Sequence, residues 1–492
     1  MHVGQMVRVG AAVALSAALA APTGAVAAGE SASTATNVNS AAMAAGCSPA
    51  GVLSHLSRTQ RVGQLFVMGV TTTGPTTYQK QMIRAHHLGG AVLMGHSSKG
   101  VNPTWRTART LQAQARSNGV GLWVAADQEG GYVQVLHGGR FAEMPTALHQ
   151  GRWRPSKLRH HAHRWGMSLN GAGVNLNLAP VMDTVPASLG RGNKPIGYYY
   201  REYGHRPGPV ARHGAAVQYG MRDAGVQTTA KHFPGLGRVH RNTDTSYGVH
   251  DDVTTRHDPY LRPFRAAMNH HIPVVMVSSA RYTKIDRKFL APFSPTVLRG
   301  MIRHDLNYHG VIMSDDLGAA AAVKKVPVGK RAVRFLRAGG NVVLTVDAST
   351  IPKMTHAVLD RERNVPPFRH KVNAAALQVL QAKKRAGLLP CQHTRAGTTD
   401  PGAPAGTTRF QSFGEHLYLC DRQSDGRRVI THARTSTGFR HEYQLARGRG
   451  SCADIDLSIP EQGWARFKVC LQNGKHAPER RCSRWVRTTA RG

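Results

Sequence analysis

Ionisable side chains are concentrated in residues 228–248, a stretch that contains Lys231, His232, His240 and Asp244. It begins with a β-branched run that predicts a buried strand, and it continues as a loop rich in glycine, lysine, histidine and aspartate. Lysine and aspartate are rarely buried without partners, so packing alone does not explain this composition. Ionisable residues at the point where a strand gives way to a loop are typical of a reactive site on a rigid scaffold.

Polar residues also follow several other apolar runs. A single carboxylate in such a position is commonly a helix cap, but its recurrence at one strand end after another favours a site. The residues concerned are Asp127 and Glu129 in Asp127-Gln-Glu-Gly-Gly, Asp183, the pair Asp315-Asp316, and Asp347. Of the adjacent pair, we expect Asp316 to be the cap and Asp315 to be the reactive group.

The elements that must position these residues alternate between short apolar runs and amphipathic segments. Eight runs predict strands: 63–69, 90–95, 122–127, 175–181, 226–230, 273–278, 310–314 and 341–346. Helices are predicted over 104–118, 209–224, 260–270, 295–306 and 330–338, and residues 355–388 predict a helix, a Pro-containing break and a longer helix from about Arg369. This alternation predicts an α/β fold with parallel strands, and eight units favour a closed (β/α)8 TIM-like barrel. An open doubly wound sheet is the alternative, but no glycine-rich dinucleotide motif follows the first strand.

The two ends of the chain differ from this pattern. Residues 1–28 carry Arg8, an apolar run and Ala25-Val26-Ala27, which together predict a secretory signal peptide. The apolar run is too short to span a bilayer, so we expect a secreted protein without a membrane span. Residues 29–46 predict a disordered leader, residues 47–391 the barrel domain, residues 392–408 a Gly/Pro/Thr-rich linker, and residues 409–492 a small β domain.

Six cysteines accompany the predicted export: Cys47, Cys391, Cys420, Cys452, Cys470 and Cys482. An even number in an exported protein predicts disulfides, and no C-x-x-C pair suggests zinc. We expect one disulfide, Cys47–Cys391, across the ends of the large domain. We expect the other two within the tail, which would then be a disulfide-stapled, β-rich C-terminal domain.

The 64 lysine and arginine residues outnumber the 27 aspartate and glutamate residues, giving a formal net charge of +37. Such a surface favours anionic partners. The sequence contains no recognisable nucleic-acid-binding module, so an anionic cell-wall polymer is the expected partner of an exported chain. A general preference for basic surface residues would give the same composition.

Four motifs together resemble glycoside hydrolase family 3, and more narrowly its single-domain β-N-acetylhexosaminidase branch. The resemblance covers roughly residues 52–389 and does not extend into the tail, and the motifs occur in the order that the family shows. The motifs are Lys231-His-Phe-Pro-Gly, Asp127-Gln-Glu-Gly-Gly, Asn177-Leu-Ala-Pro-Val-Met-Asp183 and Ser314-Asp-Asp-Leu317.

The resemblance implies a retaining glycosidase that releases terminal β-linked N-acetylglucosamine during peptidoglycan turnover. Asp315 matches the nucleophile, and a carboxylate suits that role because it can attack the anomeric carbon and later leave as an anion. The positions that match residues holding the sugar are Asp127, Arg201, Lys231 and His232. For Arg201 a surface salt bridge is the alternative. The implied chemistry requires a carbohydrate substrate and neither metal nor organic cofactor.

The proton donor is where the sequence departs from the family. The hexosaminidase branch has an Asp-Ser-His triplet after Lys-His-Phe-Pro-Gly, whereas this chain has Asp244-Thr245-Ser246 with two additional residues before it. Asp244 could donate the proton if burial near Asp315 raises its pKa. His240 could supply the missing imidazole instead. The third alternative is a weakened enzyme or a sugar-binding relative.

Three functions therefore remain. The favoured one is a secreted exo-acting β-N-acetylhexosaminidase, because Asp127, Lys231, His232 and Asp315 are all present. A β-glucosidase of the same family is disfavoured by the absence of a second α/β domain. A non-catalytic, basic cell-wall-binding protein on a hydrolase scaffold is the remaining possibility.

Overall fold

The computed structural model describes residues 48–115, 119–389, 393–400, 404–411, 416–446, 448, 451–457, 459 and 463–489. The predicted signal peptide and leader, and the predicted Cys47–Cys391 disulfide, lie outside the described residues. Among the described helices, none combines the length and the apolar content needed to cross a membrane.

Eight parallel strands close into a barrel, in which each strand pairs with its neighbours in sequence and the last pairs with the first. This confirms the predicted (β/α)8 fold. The strands are β1 (Phe66–Thr71), β2 (Gly90–Met94), β3 (Trp123–Ala126), β4 (Leu176–Asn177), β5 (Gln227–Phe233), β6 (Val274–Val277), β7 (Val311–Asp316) and β8 (Val342–Thr345). The strands are almost wholly buried, as expected where helices cover a parallel sheet.

Helices alternate with the strands. They are α1 (Pro49–His55), α2 (Arg58–Gly63), α3 (Thr77–Ala85), α4 (Val101–Gln114), α5 (Ala147–Gln150), α6 (Pro155–Gly171), α7 (Pro207–Asp223), α8 (Arg262–Asn269), α9 (Val328–Ala338), α10 (Ile351–Asn364) and α11 (Pro366–Arg385). The segment Thr296–Asp305 is helical with π-type hydrogen bonding. Short 3₁₀ turns are formed by Gly190–Gly192, Gly197–Tyr199, Pro259–Leu261, Ala291–Phe293, Ala321–Val323 and Ala348–Thr350.

Two differences from the predicted elements have local causes. The first strand begins at Phe66 rather than at Gly63, because a capping box between Ser57 and Gln60 starts helix α2 immediately before it. Helix α6 was not predicted, since its sequence is rich in histidine and arginine. Its buried residues are nevertheless spaced for one helix face: Leu158, Ala162, Trp165 and Leu169.

The tail is a β-sandwich with its own core. One sheet contains β9 (His393–Gly397), β10 (Gly406–Gln411), β11 (His416–Asp421) and β14 (Cys452–Asp456). The other contains β12 (Arg428–Thr435), β13 (Arg440–Leu445), β15 (Trp464–Gln472), β16 (Glu479–Arg480) and β17 (Val486–Thr489). Disulfides Cys420–Cys452 and Cys470–Cys482 confirm the predicted pair of cross-links in the tail.

The segment predicted as a linker, 392–408, contains part of this sandwich. Strand β9 pairs antiparallel with β10 along its whole length, and β10 begins at Gly406. The glycine and threonine content of the segment suggested a loop, but threonine is also a good strand former. The β-rich unit therefore starts at His393 instead of residue 409.

Candidate active site

A cavity of about 510 Å³ opens at the carboxyl ends of the barrel strands. This is the end at which active sites form in barrels of this kind. Six of the seven predicted site residues line it: Asp127, Arg201, Lys231, His232, Asp244 and Asp315. The seventh, His240, is exposed and does not line the cavity.

Four charged side chains form a buried network on one wall. The Lys231 Nζ lies 2.5 Å from Asp127 Oδ1 and 2.6 Å from Glu129 Oε1. Arg201 donates from Nε and Nη2 to the two oxygens of Glu129, both at 2.8 Å, and from Nη1 to the Pro195 carbonyl. Two acids and two bases balance in charge. The ion pair of Arg201 is partly buried and its side chain lines the cavity, so the surface salt bridge considered as its alternative role is not observed.

The ion pairs of this network keep Glu129 and Lys231 ionised. Burial favours the neutral form of Glu129, but the neighbouring Arg201 and Lys231 outweigh it and lower the pKa of Glu129 to about 2. Burial of Lys231 lowers its pKa. The negative charges of Asp127 and Glu129 have a larger effect in the opposite direction, so the pKa of Lys231 is raised. A polar group that enters the cavity therefore meets fixed charges. The Asp127 side chain is 26% exposed, against 3% for Lys231, so Asp127 is the more accessible of the two.

A second pair fixes His232, which also lines the cavity. His232 Nδ1 lies 2.7 Å from Asp183 Oδ2, and the fully buried Asp183 also accepts hydrogen bonds from the backbone N–H groups of His232 and Leu236. A carboxylate at Nδ1 holds the proton there, which leaves Nε2 for a ligand. Asp183 therefore orients the imidazole and anchors the start of the loop that leads to Asp244.

The two adjacent carboxylates at the end of β7 have different surroundings. Asp315 lines the cavity and is partly exposed. Asp316 is buried, and its carboxylate accepts hydrogen bonds from the backbone N–H groups of Gly318, Ala319, Ala320 and Val346. Asp316 thus caps the following turn and ties it to β8, which leaves Asp315 available for chemistry.

Asp244 faces Asp315 from the loop after β5. Burial and the charge of Asp315 raise the pKa of Asp244 to about 6, against the opposing effects of Arg201 and His232. The Asp244 side chain is nevertheless exposed at the open mouth of the cavity, so water screens much of the effect of burial on its pKa. Its position is fixed by the backbone, since Ala321 N donates to Asp244 O at 3.0 Å and Ala322 N to Thr243 O at 3.1 Å.

Exposed aromatic rings stand at the cavity mouth. Tyr132 is 65% exposed and Tyr199 is 38% exposed, and their ring centroids lie 6.1 Å apart. Both residues line the cavity. Aromatic faces beside charged and polar groups suit a ligand that has both apolar faces and hydroxyl groups.

Two site residues were not assigned from the sequence. Glu129 lies two positions after Asp127 in the same motif, and the chain there is extended, as in the strand Gln128–Gly130. Because alternate residues of an extended chain face the same side, Glu129 could have been expected beside Asp127. Asp183 was noted at a strand end without a role. The sequence feature that could have identified Asp183 is its position shortly after the strand that contains Asn177, where side chains lie near the cavity.

In the described part of the chain, one group has side chains close enough to hold a metal ion: His432, Cys470 and Glu479. It lies in the β-sandwich and not at the cavity. The Cys470 sulfur is bonded to Cys482, so it offers no thiolate to a metal.

Comparison with known proteins connects this geometry to one family. The family described as "Glycosyl hydrolase family 3 N terminal domain" matches residues 58–382. The β-hexosaminidase of Stenotrophomonas maltophilia K279a is 28% identical over 323 residues, which cover 64% of this chain and 92% of that protein. A β-hexosaminidase of Xylella fastidiosa 9a5c is 32% identical over 263 residues, 52% of this chain and 76% of that protein.

Solved structures give the same result. The β-N-acetylhexosaminidase from Beutenbergia cavernae DSM 12333 is 42% identical, with a TM-score of 0.66. The alignment covers 67% of this chain and 98% of that protein. A β-N-acetylglucosaminidase from a Paenibacillus strain is 27% identical with a TM-score of 0.62, over 68% of this chain and 63% of that protein.

The raised pKa of Asp244 predicts a pH-dependent effect on stability. A carboxyl whose pKa is about 6 in the folded chain and 3.8 as a model group contributes stability below pH 3.8 that is lost as the pH rises through 6. Asp244→Asn should therefore raise the free energy of unfolding at pH 8 by about 1 kcal/mol after allowance for screening. The gain should shrink towards pH 4, as measured by denaturant titration.

The matched control is Asp252→Asn, which removes an exposed carboxylate outside the cavity. It should change the unfolding free energy little at either pH. An Asp244→Asn variant no more stable than wild type at pH 8 would contradict the raised pKa of Asp244 that burial and the charge of Asp315 produce.

Proposed function

The chain belongs to glycosyl hydrolase family 3, and from this premise we propose that it is an exported, retaining exo-glycosidase acting on cell-wall glycans. It is a glycoside hydrolase similar to the β-N-acetylhexosaminidases. The proposed substrate is terminal β-linked N-acetylglucosamine in peptidoglycan or a related glycan. One observation carries the mechanism: a single cavity holds Asp315 and, opposite it, a carboxyl whose pKa is raised.

In the first step, Asp315 attacks the anomeric carbon of the terminal sugar. The bond from that carbon to the glycosidic oxygen breaks, and Asp244 gives its proton to the departing oxygen. The sugar is left as an ester on Asp315. A pKa of about 6 keeps a useful fraction of Asp244 protonated near neutral pH.

In the second step, Asp244 acts as a base and takes a proton from water. The water oxygen attacks the anomeric carbon and the ester bond to Asp315 breaks. Two inversions at the same carbon give net retention of configuration. Both carboxyls then return to their starting states.

The charged network supports the proposal by orienting the terminal sugar. Asp127 can accept hydrogen bonds from hydroxyl groups, Lys231 can donate to them, and the Nε2 atom of His232 can accept from a neighbouring hydroxyl. Glu129 and Arg201 hold this set in place from beneath. Because these groups are ionised and fixed before substrate arrives, little reorganisation accompanies binding.

Export and a wall substrate rest on other observations. The pattern of residues 1–28 is that of a signal peptide. The two disulfides of the β-sandwich are typical of oxidising compartments outside the cytoplasm. A net charge of +37 favours association with an anionic wall polymer, and we assign this adhesion to the sandwich.

The nucleophile assignment predicts the effect of Asp315→Asn. The variant keeps the shape of the side chain but cannot form the ester, so turnover of an aryl N-acetyl-β-glucosaminide should fall at least about 10³-fold. Wild-type enzyme should release the β-anomer first, as seen by proton NMR during the initial turnovers.

Asp252→Asn serves as the control and should keep wild-type turnover, since Asp252 is exposed and lies outside the cavity. Failure of wild type to hydrolyse either an N-acetylglucosaminide or a glucoside above the Asp315→Asn background would overturn the enzyme proposal. Faster hydrolysis of the glucoside would favour the β-glucosidase alternative.

The proton-donor assignment predicts different results at Asp244 and His240. Asp244→Asn should lower kcat about 10²–10⁴-fold for a phenyl leaving group, and much less for dinitrophenyl, which departs without a proton. Wild-type kcat/KM should decline as the pH rises above about 6, and the variant should lack this decline. His240→Gln should resemble wild type, because His240 is exposed and does not line the cavity.

The opposite pattern would assign the donor to His240. That result would require the loop to rearrange when substrate binds. Equal activity of both variants on both leaving groups would contradict either assignment.

Adhesion through the sandwich predicts that truncation after Gln392, which keeps Cys391, weakens binding to purified cell-wall material. Turnover of a small aryl glycoside should stay within about twofold, because the cavity is built by the barrel. The difference between full-length and truncated protein should vanish at high ionic strength, since screening weakens exposed charge interactions. Undiminished wall binding by the truncated protein in a low-salt sedimentation assay would place adhesion on the barrel.

A further inference from the structure

A second cavity, of about 460 Å³, lies beside the active site on the far side of the Asp244 loop. Two segments separate the cavities. Asn242–Asp244 and Ala319–Ala320 line the active-site cavity, whereas Tyr247–His250 and Ala322–Val326 contribute to the second. The same segments are joined by the hydrogen bonds that hold Thr243 and Asp244. Any occupant of the second cavity would touch both segments that position the proposed proton donor.

The wall of the second cavity is strongly basic. Four permanently charged side chains line it, namely Arg281, Lys288, Lys325 and Arg334. Among the described residues that line this cavity none is acidic, and His250 is the remaining ionisable group besides Tyr247. These like charges repel one another, and their concave arrangement produces a positive potential that attracts anions. A bound anion would reduce the repulsion between them.

The same cavity has an apolar and aromatic side. Phe289, Leu290 and Phe293 line it, and Tyr247 is 51% exposed. The Lys325 ammonium lies 4.0 Å from the centroid of the Tyr247 ring. An aromatic face next to cations suits a ligand with a ring as well as a negative charge.

Basic charge alone is common on the barrel, so the combination of cations with aromatic rings distinguishes this cavity from another one there. Another cavity of the barrel, of about 530 Å³, has Lys80, Lys99 and Arg106 on its wall. Its other lining residues are threonines, prolines, a serine and a glycine, with no aromatic ring among those described. It offers attraction for anions but no surface on which a ring could pack.

We propose that the second cavity binds an acidic sugar unit, whose carboxylate or phosphate pairs with Arg281 and Lys325 while its ring packs on Tyr247. This binding site is distinct from the active-site cavity and does not depend on the proposed hydrolysis. Its ligand class follows from the cations and the aromatic side together. An occupied site would hold the loop 242–250 against the segment 319–326.

Direct binding tests the proposal in the Asp315→Asn protein, which removes turnover from the measurement. The titrants are glucuronate, glucose 6-phosphate and neutral glucose, followed by calorimetry at low salt. At least one anionic sugar should bind and neutral glucose should not. Arg281→Gln/Lys325→Gln should weaken that binding at least about tenfold.

The matched control is Lys99→Gln/Arg106→Gln, which removes the same two charges from the cavity without aromatic lining. It should bind within about twofold of the parent protein. Lys288→Gln/Arg334→Gln offers a second test in the proposed site, should the first pair fail to fold by circular dichroism. Binding of glucuronate alone would identify a carboxylate sugar, and binding of glucose 6-phosphate alone a sugar phosphate.

Two results would overturn the site. One is binding of neither anion more tightly than neutral glucose. The other is equal weakening in the control pair, which would mean that overall positive charge, rather than this cavity, attracts the anion.

Discussion

The buried ammonium of Lys231 is the constraint around which this barrel end is built. A cation taken out of water costs several kcal/mol unless opposite charges and hydrogen bonds compensate it. Asp127 and Glu129 provide that compensation from the end of β3, which requires β3 and β5 to hold a fixed register through β4 between them. The second of these carboxylates, Glu129, is itself buried and needs a further positive charge. Arg201 provides it from the long loop after β4. That loop is held in turn by Asn193, whose side-chain amide donates to the carbonyls of Leu236 and Val239 on the loop after β5. One buried charge therefore fixes three strand ends and two loops.

The spacing of the two proposed catalytic carboxyls depends on backbone rather than on their own contacts. The Asp316 carboxylate accepts hydrogen bonds from the backbone of the turn after β7. The next two N–H groups of that segment donate to the carbonyls of Asp244 and Thr243. Moving the turn would therefore move Asp244 relative to Asp315. The loop carries its carboxyl to the cavity by main-chain hydrogen bonds, which do not depend on the side chain at Ser246.

The barrel and most of the cavity could be predicted because both depend on patterns local in sequence. Apolar runs define strands, and the carboxyl ends of parallel strands must meet, so Asp127, Lys231 and Asp315 could be placed together without coordinates.

What could not be predicted depends on contacts between distant segments. The ion pair of Arg201 with Glu129 crosses 72 residues, and no local pattern distinguishes it from a surface salt bridge. The start of the β-sandwich at His393 was missed for a similar reason, since β9 is a strand only because β10 pairs with it. His240 and Asp244 lie four residues apart in one loop, and only its folded path directs one into the cavity and the other to solvent.

The interaction between Asp244 and Asp315 also explains how one residue could serve as acid and then as base. In the free enzyme the negative charge of Asp315 raises the pKa of Asp244, which favours the protonated form needed to expel the leaving group. In the mechanism that we propose, the ester formed on Asp315 is neutral. The Coulomb contribution of Asp315 to the pKa of Asp244 then disappears, while burial still raises that pKa and Arg201 and His232 still lower it. Asp244, which has given its proton to the leaving group, is therefore more stable as a carboxylate at this stage than in the free enzyme. When the ester is hydrolysed, the charge of Asp315 returns and the pKa of Asp244 rises again, so the cycle restores the acid without any further group.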